Sequence, residues 1–161
     1  MLVGDILSGR LLTVTPQMTV REAAQRMRGA DVGAVPVLAG SRLLGVLTDR
    51  DIVLRCVAAG RSPEQCRVVD ILTPGVVTVA ADTPLDEAAR LMAQHRIRRL
   101  PVTRSGRLVG MISLGDLALR HPLKQGVAAA LEGVSQTRRK AQGAKPKEHT
   151  SKLKTKQANP G

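Results

Sequence analysis

The sequence has no Phe, Tyr or Trp among its 161 residues. Its interior must therefore be built from Leu, Ile, Val, Ala and Met, without the large buried area that aromatic rings supply. No apolar run approaches the ~18–20 residues that span a bilayer. The leading Met1-Leu2-Val3-Gly4-Asp5 lacks the basic and apolar regions of a signal peptide. We therefore expect a cytoplasmic protein without membrane contacts. Cysteine is scarce: Cys56 and Cys66 stand ten residues apart and have no metal-ligand spacing with His95, His121 or His149. Two reduced, partly buried thiols are expected, and no metal site. There is no Walker loop, no Gly-x-Gly-x-x-Gly and no carboxylate pair at acid/base spacing, so catalysis has no visible machinery and the expectation is not an enzyme.

Hydrophobic residues make up 43% of the chain, enough for a packed core, and the net charge is +12. The charge is uneven. From Val134 onward eight Lys and Arg face one acid, Glu148, while residues 1–133 hold seventeen basic and twelve acidic residues. The body is mildly basic and the end strongly so.

An internal repeat organises the chain. Shifting the sequence by 65 places lays Val3-Gly4-Asp5-Ile6-Leu7 on Val68-Val69-Asp70-Ile71-Leu72, and Thr13-Val14 on Thr78-Val79. Glu22-Ala23-Ala24 falls on Glu87-Ala88-Ala89, Pro36-Val37 on Pro101-Val102, and Arg42-Leu43-Leu44-Gly45 on Arg107-Leu108-Val109-Gly110. Thr48 meets Ser113, Asp51 meets Asp116, and Leu54-Arg55 meets Leu119-Arg120. One register held this far marks a duplication.

Each copy reads β-α-β-β-α. A short extended piece, Leu12-Thr13-Val14 or Val77-Thr78-Val79, leads to a helix. The first helix starts at Thr19 with Glu22 in a capping box; the second starts at Thr83 with Pro84 as its first helical residue. Their apolar stripes are Val20, Ala23, Ala24, Met27 and Leu85, Ala88, Ala89, Met92. Hairpins follow, turning at Ala39-Gly40-Ser41 and Arg104-Ser105-Gly106, and helices over roughly 49–59 and 114–120 close the units. A unit this small is insecure alone, so the two copies are expected to pack sheet against sheet around one shared core. The organisation is then residues 1–60 and 61–122 as the two repeats, 123–133 as a short helix, and 134–161 as a disordered basic tail.

The duplication, the Pro-Val ahead of each hairpin, and Gly45-Val46-Leu47-Thr48-Asp49-Arg50-Asp51 with Gly110-Met111-Ile112-Ser113-Leu114-Gly115-Asp116 resemble the CBS (cystathionine β-synthase) domain. The resemblance covers about residues 1–120. It implies an α/β (α+β) fold of tandem repeats packed with pseudo-two-fold symmetry, a Bateman module. It also implies two clefts, often binding AMP, ADP, ATP or related adenosyl ligands, and a homodimer.

The Thr/Ser-x-x-Asp motif can also be read on its own chemistry. Thr48 and Ser113 stand where strand becomes helix, with Asp51 and Asp116 in the first turn, a plain capping arrangement. The same geometry suits a nucleotide: free amides and a hydroxyl for phosphate, a carboxylate for two ribose hydroxyls. On the family's pattern one cleft joins Thr48, Arg50 and Asp51 to Thr78, Arg98, Arg99 and Pro101. The other joins Ser113 and Asp116 to Thr13 and the Gly33-Ala34-Val35-Pro36 segment. The first is the more cationic and should prefer phosphorylated nucleosides, with one of the neighbouring Arg98 and Arg99 reaching the ligand, since successive strand residues face opposite sides. Without aromatics, an adenine ring would rest on aliphatic walls.

The expectation is a regulatory module sensing an adenine nucleotide and acting in trans on an unidentified partner. Two alternatives stay open. The basic tail could bind nucleic acid nonspecifically, with the repeats only dimerising, or it could merely solubilise. The repeats could also serve only as an interaction module that no longer binds a ligand.

Overall fold

A computed structural model of the chain describes residues 1–7 and 10–120. The expected helix at 123–133, the tail from 134 and its proposed nucleic-acid contact lie outside the described residues. Within them the fold is α+β, with two three-stranded sheets and helices around them.

The first helix follows from local chemistry. α1 (Val20–Ala30) is capped by Thr19, whose hydroxyl accepts the Glu22 N–H at 3.2 Å while Glu22 accepts the Thr19 N–H at 2.8 Å. The Thr19 amide first, and then its hydroxyl, which donates to Glu22 Oε2 at 3.0 Å, hold the Glu22 carboxylate below the usual range. Val20, Ala23 and Met27 are buried. The second long helix, α4 (Leu85–His95), begins one residue later than its sequence indicates. Pro84 is the N-cap, not the first helical residue, and stays extended at ψ 145°. The cause is tertiary: Leu2 pairs with Pro84, and Met1 O accepts the Leu85 N–H at 3.3 Å.

The hairpins form as read. β1 (Ala34–Ala39) pairs with β2 (Arg42–Thr48), and β5 (Arg99–Arg104) with β6 (Arg107–Ser113). Positive φ at Gly40, and at Ser105 and Gly106, meets the need of two-residue turns. β3 (Thr73–Pro74) lies antiparallel to β2, and β4 (Val79–Ala80) parallel to β5. The leading extended pieces are thus short: Val79–Ala80 in one copy, and a single bridge from Val14 to Val37 in the other.

The closing helix of the first copy is not one α-helix over 49–59. A single turn, α2 (Asp49–Asp51), passes into a π-helical stretch over Ile52–Val57, where the Ala58 N–H reaches Val53 O at 2.8 Å. This winding buries Cys56 completely while its neighbour Arg55 reaches the carbonyls of Ile71 and Leu72. Its counterpart, α5 (Leu114–Arg120), is α-helical.

The buried residues form two clusters, where the sequence had indicated one shared core. Leader exchange explains how the copies stay together. Val3 and Ile6, from a 3₁₀ turn at the start of the first copy, sit in the cluster of Leu85, Met92, Leu100 and Ile112. Val68 and Ile71, from α3 (Val68–Ile71) at the start of the second, sit with Val20, Met27, Val37 and Leu47. The bonds repeat at the 65-residue offset. Val3 N–H to Thr83 O is matched by Val68 N–H to Met18 O, and Gly4 N–H to Ala81 O by Val69 N–H to Pro16 O. Each fully buried aliphatic leader residue contributes about 1.5–3 kcal/mol, so neither sheet unit is complete without the other copy's start.

Both cysteines are free and buried. Burial pushes the Cys66 thiol up, and the nearby Cys56 thiol adds to the shift.

α1 and α4 end at residues in the left-handed region, Asp31 (φ 52°) and Arg96 (φ 53°). Asparagine-like Asp tolerates this conformation; Arg does not do so readily. Arg96→Gly should therefore raise the unfolding free energy by about 0.5–1 kcal/mol, relief of strain outweighing the added flexibility of the unfolded chain. Urea denaturation tests this, and a destabilised variant refutes it.

Candidate functional site

Among the described residues, a cleft of about 610 Å³ between the copies brings charged side chains together. Three stretches of chain build most of it, with Ala34 and Val46 beside them. The β2–α2 junction supplies Thr48, Asp49, Arg50 and Asp51. The crossing between copies supplies Thr73 to Val77, and the end of α4 with the start of β5 supplies His95 to Arg99, followed by Pro101. Val46, Val76, Val77 and Ile97 give the aliphatic wall that an aromatic-free chain must use.

At the junction the capping geometry is fully formed. Asp51 Oδ2 accepts the Thr48 N–H at 3.0 Å, and Thr48 Oγ1 accepts the Asp51 N–H at 3.1 Å. Asp51 is only 8% exposed, and its other oxygen, Oδ1, lies 3.4 Å from Arg55 Nη2. A carboxylate has about four acceptor sites, so these contacts leave capacity on both oxygens. The hydroxyl proton of Thr48 has no acceptor among the described residues. Ser113 differs: its hydroxyl donates to Asp116 Oδ2 at 2.7 Å while its N–H bonds the same oxygen at 2.7 Å.

The cations of the cleft are uncompensated. Arg50, Arg96, Arg98 and Arg99 form no ion pair with any described residue, although Asp49 and Asp51 stand nearby. Asp49 is engaged locally, its Oδ1 accepting the Arg50 N–H at 2.8 Å. Gly33 makes room for the approach of both signs: a side chain there would meet Asp49 Oδ2 at 2.9 Å and Arg99 Nη2 at 3.3 Å. Such an arrangement favours an anion with a neutral, partly apolar body.

Of the sequence-indicated residues, Thr48, Arg50, Asp51, Arg98, Arg99 and Pro101 come together here. Thr78 does not line the cleft; its neighbour Val77 does. The second cleft is smaller, about 190 Å³, and is lined by Leu7, Leu12, Pro36, Val109 and Met111, among others. Thr13, Ser113 and Asp116 are not on its walls, whereas Arg10, absent from the sequence reading, is. Ligand pockets commonly hold about 300–1,000 Å³, which favours the larger cleft. His95, Arg96 and the Thr73–Val77 crossing were also missed. Arg96 and His95 sit just before Arg98 in sequence, a cue to a wider basic segment. The crossing carries no motif, only a position between copies.

Among the described residues no three His, Cys, Asp or Glu side chains converge as metal ligands, and no helix is long and apolar enough to cross a membrane.

Fold and site together define a duplicated α+β module with one well-formed, cationic inter-repeat cleft. The chain belongs to the CBS domain family, whose profile matches residues 3–57 and 68–120. It is 41% identical over 133 residues to the CBS domain-containing protein YhcV of Bacillus subtilis, spanning 83% of this chain and 94% of that protein. It is 36% identical over 119 residues to hypoxic response protein 1 of Mycobacterium tuberculosis, spanning 73% and 83%. A solved structure of hypoxic response protein I, described with two coordinated zinc ions, superposes with a TM-score of 0.69 at 35% identity, covering 76% of this chain and 100% of that one. A CBS-domain protein of Agrobacterium tumefaciens gives 0.68 at 32% identity, covering 74% and 98%. CBS pairs of this kind are generally regulatory modules for adenosyl ligands.

Proposed function

We propose that the larger cleft binds an adenine nucleotide and that the protein reports its occupancy to a partner, acting as a regulatory module and not as an enzyme. The carrying observation is the convergence of four arginines without ion-pair partners and one nearly buried carboxylate on a cleft of about 610 Å³. Phosphates go to Arg50, Arg96, Arg98 and Arg99, and to the Thr48 hydroxyl proton. Asp51 takes the ribose hydroxyls, and the base rests on Val46, Val76 and Ile97. The capping roles of Thr48 and Asp51 support positioning in place of reaction, since both are held by backbone amides.

A cytoplasmic homodimer completes the reading. Val53, Leu54 and Val57 are each about half exposed on one flank, and Leu119 is 86% exposed at the corresponding helix of the second copy. Two modules facing through these side chains would cover them.

Thermal unfolding with AMP, ADP, ATP, NAD and S-adenosylmethionine tests the ligand. A nucleotide at about a hundred times its Kd adds roughly 2.7 kcal/mol, several degrees for a domain of this size. A shift with a phosphorylated adenosyl ligand is expected. No shift with any of the five overturns the reading.

A further inference from the structure

Arg55 is the residue in contact with Asp51 that no motif singles out. Its guanidinium does two things at once. Nη2 faces Asp51 Oδ1 at 3.4 Å, while Nη1 donates to Ile71 O at 2.9 Å, Leu72 O at 3.2 Å and Thr73 Oγ1 at 3.2 Å. The first contact orients the nearly buried carboxylate. The others fasten the crossing between copies, whose next residues form one wall of the cleft. Gly45 brings that crossing close to β2: a side chain there would strike Thr73 O and would meet Leu72 Cδ1 at 2.6 Å. Arg120, 65 positions on, forms no corresponding bond to Ile6 or Leu7 among the described residues.

We infer that Arg55 is the positioning residue of the larger cleft, one planar cation that ties the Asp51 carboxylate to the Ile71–Thr73 crossing so that the ribose-facing wall stands ready before a ligand arrives. This rests on the nucleotide reading above. A guanidinium can serve several acceptors in a fixed plane, which an ammonium cannot. Arg55 therefore sets selectivity for the ribose without touching the phosphates, which Arg50 and the arginines of the α4–β5 segment hold.

The test has two arms on the full-length protein. In the nucleotide-free arm, hydrogen exchange across residues 72–77 is compared in wild type, Arg55→Met and Arg55→Lys. Exchange is expected about ten-fold faster in Arg55→Met, with Arg55→Lys intermediate. In the ligand arm, each protein is titrated with ATP, 2′-deoxy-ATP and adenosine. Wild type is expected to favour ATP over the deoxy form by about ten-fold, the effect of one hydrogen bond to a charged acceptor. Arg55→Met should reduce that preference to about two-fold while keeping the ATP-to-adenosine ratio, and Arg55→Lys should restore part of it. Unchanged exchange, or an undiminished ribose preference in Arg55→Met, overturns the inference. If wild type binds none of the three, the nucleotide reading falls and the selectivity role with it, while the exchange arm still decides the clamp. Because the Arg55 side chain is 48% exposed, its replacement leaves the cores intact; should Arg55→Met fail to fold, Arg55→Gln takes its place.

Discussion

Gly45→Ala is expected to lower the unfolding free energy by about 3 kcal/mol, and Gly110→Ala by only about 1 kcal/mol, although the two glycines open the same motif 65 residues apart. The difference lies in what a new methyl group would meet. At Gly45 it would press on the Thr73 carbonyl oxygen, with the Thr73 carbonyl carbon at 2.9 Å and Leu72 Cδ1 at 2.6 Å. Leu72 Cδ1 could swing aside, but the two Thr73 atoms are backbone of a strand already paired to β2 and tied down by Arg55, so they cannot retreat without breaking other bonds. At Gly110 the nearest atoms all belong to the Leu7 side chain, at 2.6–3.4 Å. A rotamer change there relieves the contact. Urea unfolding of both variants decides the matter, and equal losses would show that β3 is not held as described. Gly45→Ala should also weaken nucleotide binding, because Pro74 to Val77 line the cleft.

The second large effect separates the clefts. Asp51→Ala should weaken binding of a phosphorylated adenine nucleotide about 100-fold, the loss of two hydrogen bonds to a charged acceptor, and Asp116→Ala should change it by no more than about two-fold. The pair forms a matched comparison. Each aspartate closes a capping box on its own helix, Asp51 with Thr48 and Asp116 with Ser113, so each alanine costs about 1 kcal/mol of stability for the same local reason. What differs is the surroundings: Asp51 stands on the large cleft with four unpaired arginines, and Asp116 lies off the walls of the small one. Isothermal titration provides the numbers. Comparable losses from both substitutions would mean that both clefts fill.

Much of the cleft was legible because its elements are set by short-range chemistry. Thr48-x-x-Asp51 predicts a cap, and a cap forms. The Arg98-Arg99 pair before Pro101 predicts a cationic strand start, but strand alternation sends only one of the two to the ligand. Both line the cleft instead, because β5 begins at Arg99 and Arg98 precedes the strand. Thr78 and Thr13 were less legible. Each was placed by the family's cleft pattern, and a one-residue shift along an extended segment sends a side chain to the opposite face. By sequence Arg55 is only the repeat partner of Arg120. Its role depends on carbonyls sixteen and seventeen residues away, whose positions local sequence does not set.

Local pattern was enough for the duplication, the capped amphipathic helices, the tight hairpins and the family, because each depends on residues within a few positions of one another or on a register that survives across the chain. Tertiary structure alone decided which copy each leader joins. A duplicated pattern presents the same apolar residues in both places, so Val3 and Val68 could pack on their own repeat or on the other by hydrophobicity alone. The exchange bonds, Val3 to Thr83 and Val68 to Met18, select the second arrangement. That choice carries the Thr73–Val77 crossing past Gly45 to form the cleft wall. It also moves the start of α4 past Pro84, since Leu2 holds that proline extended.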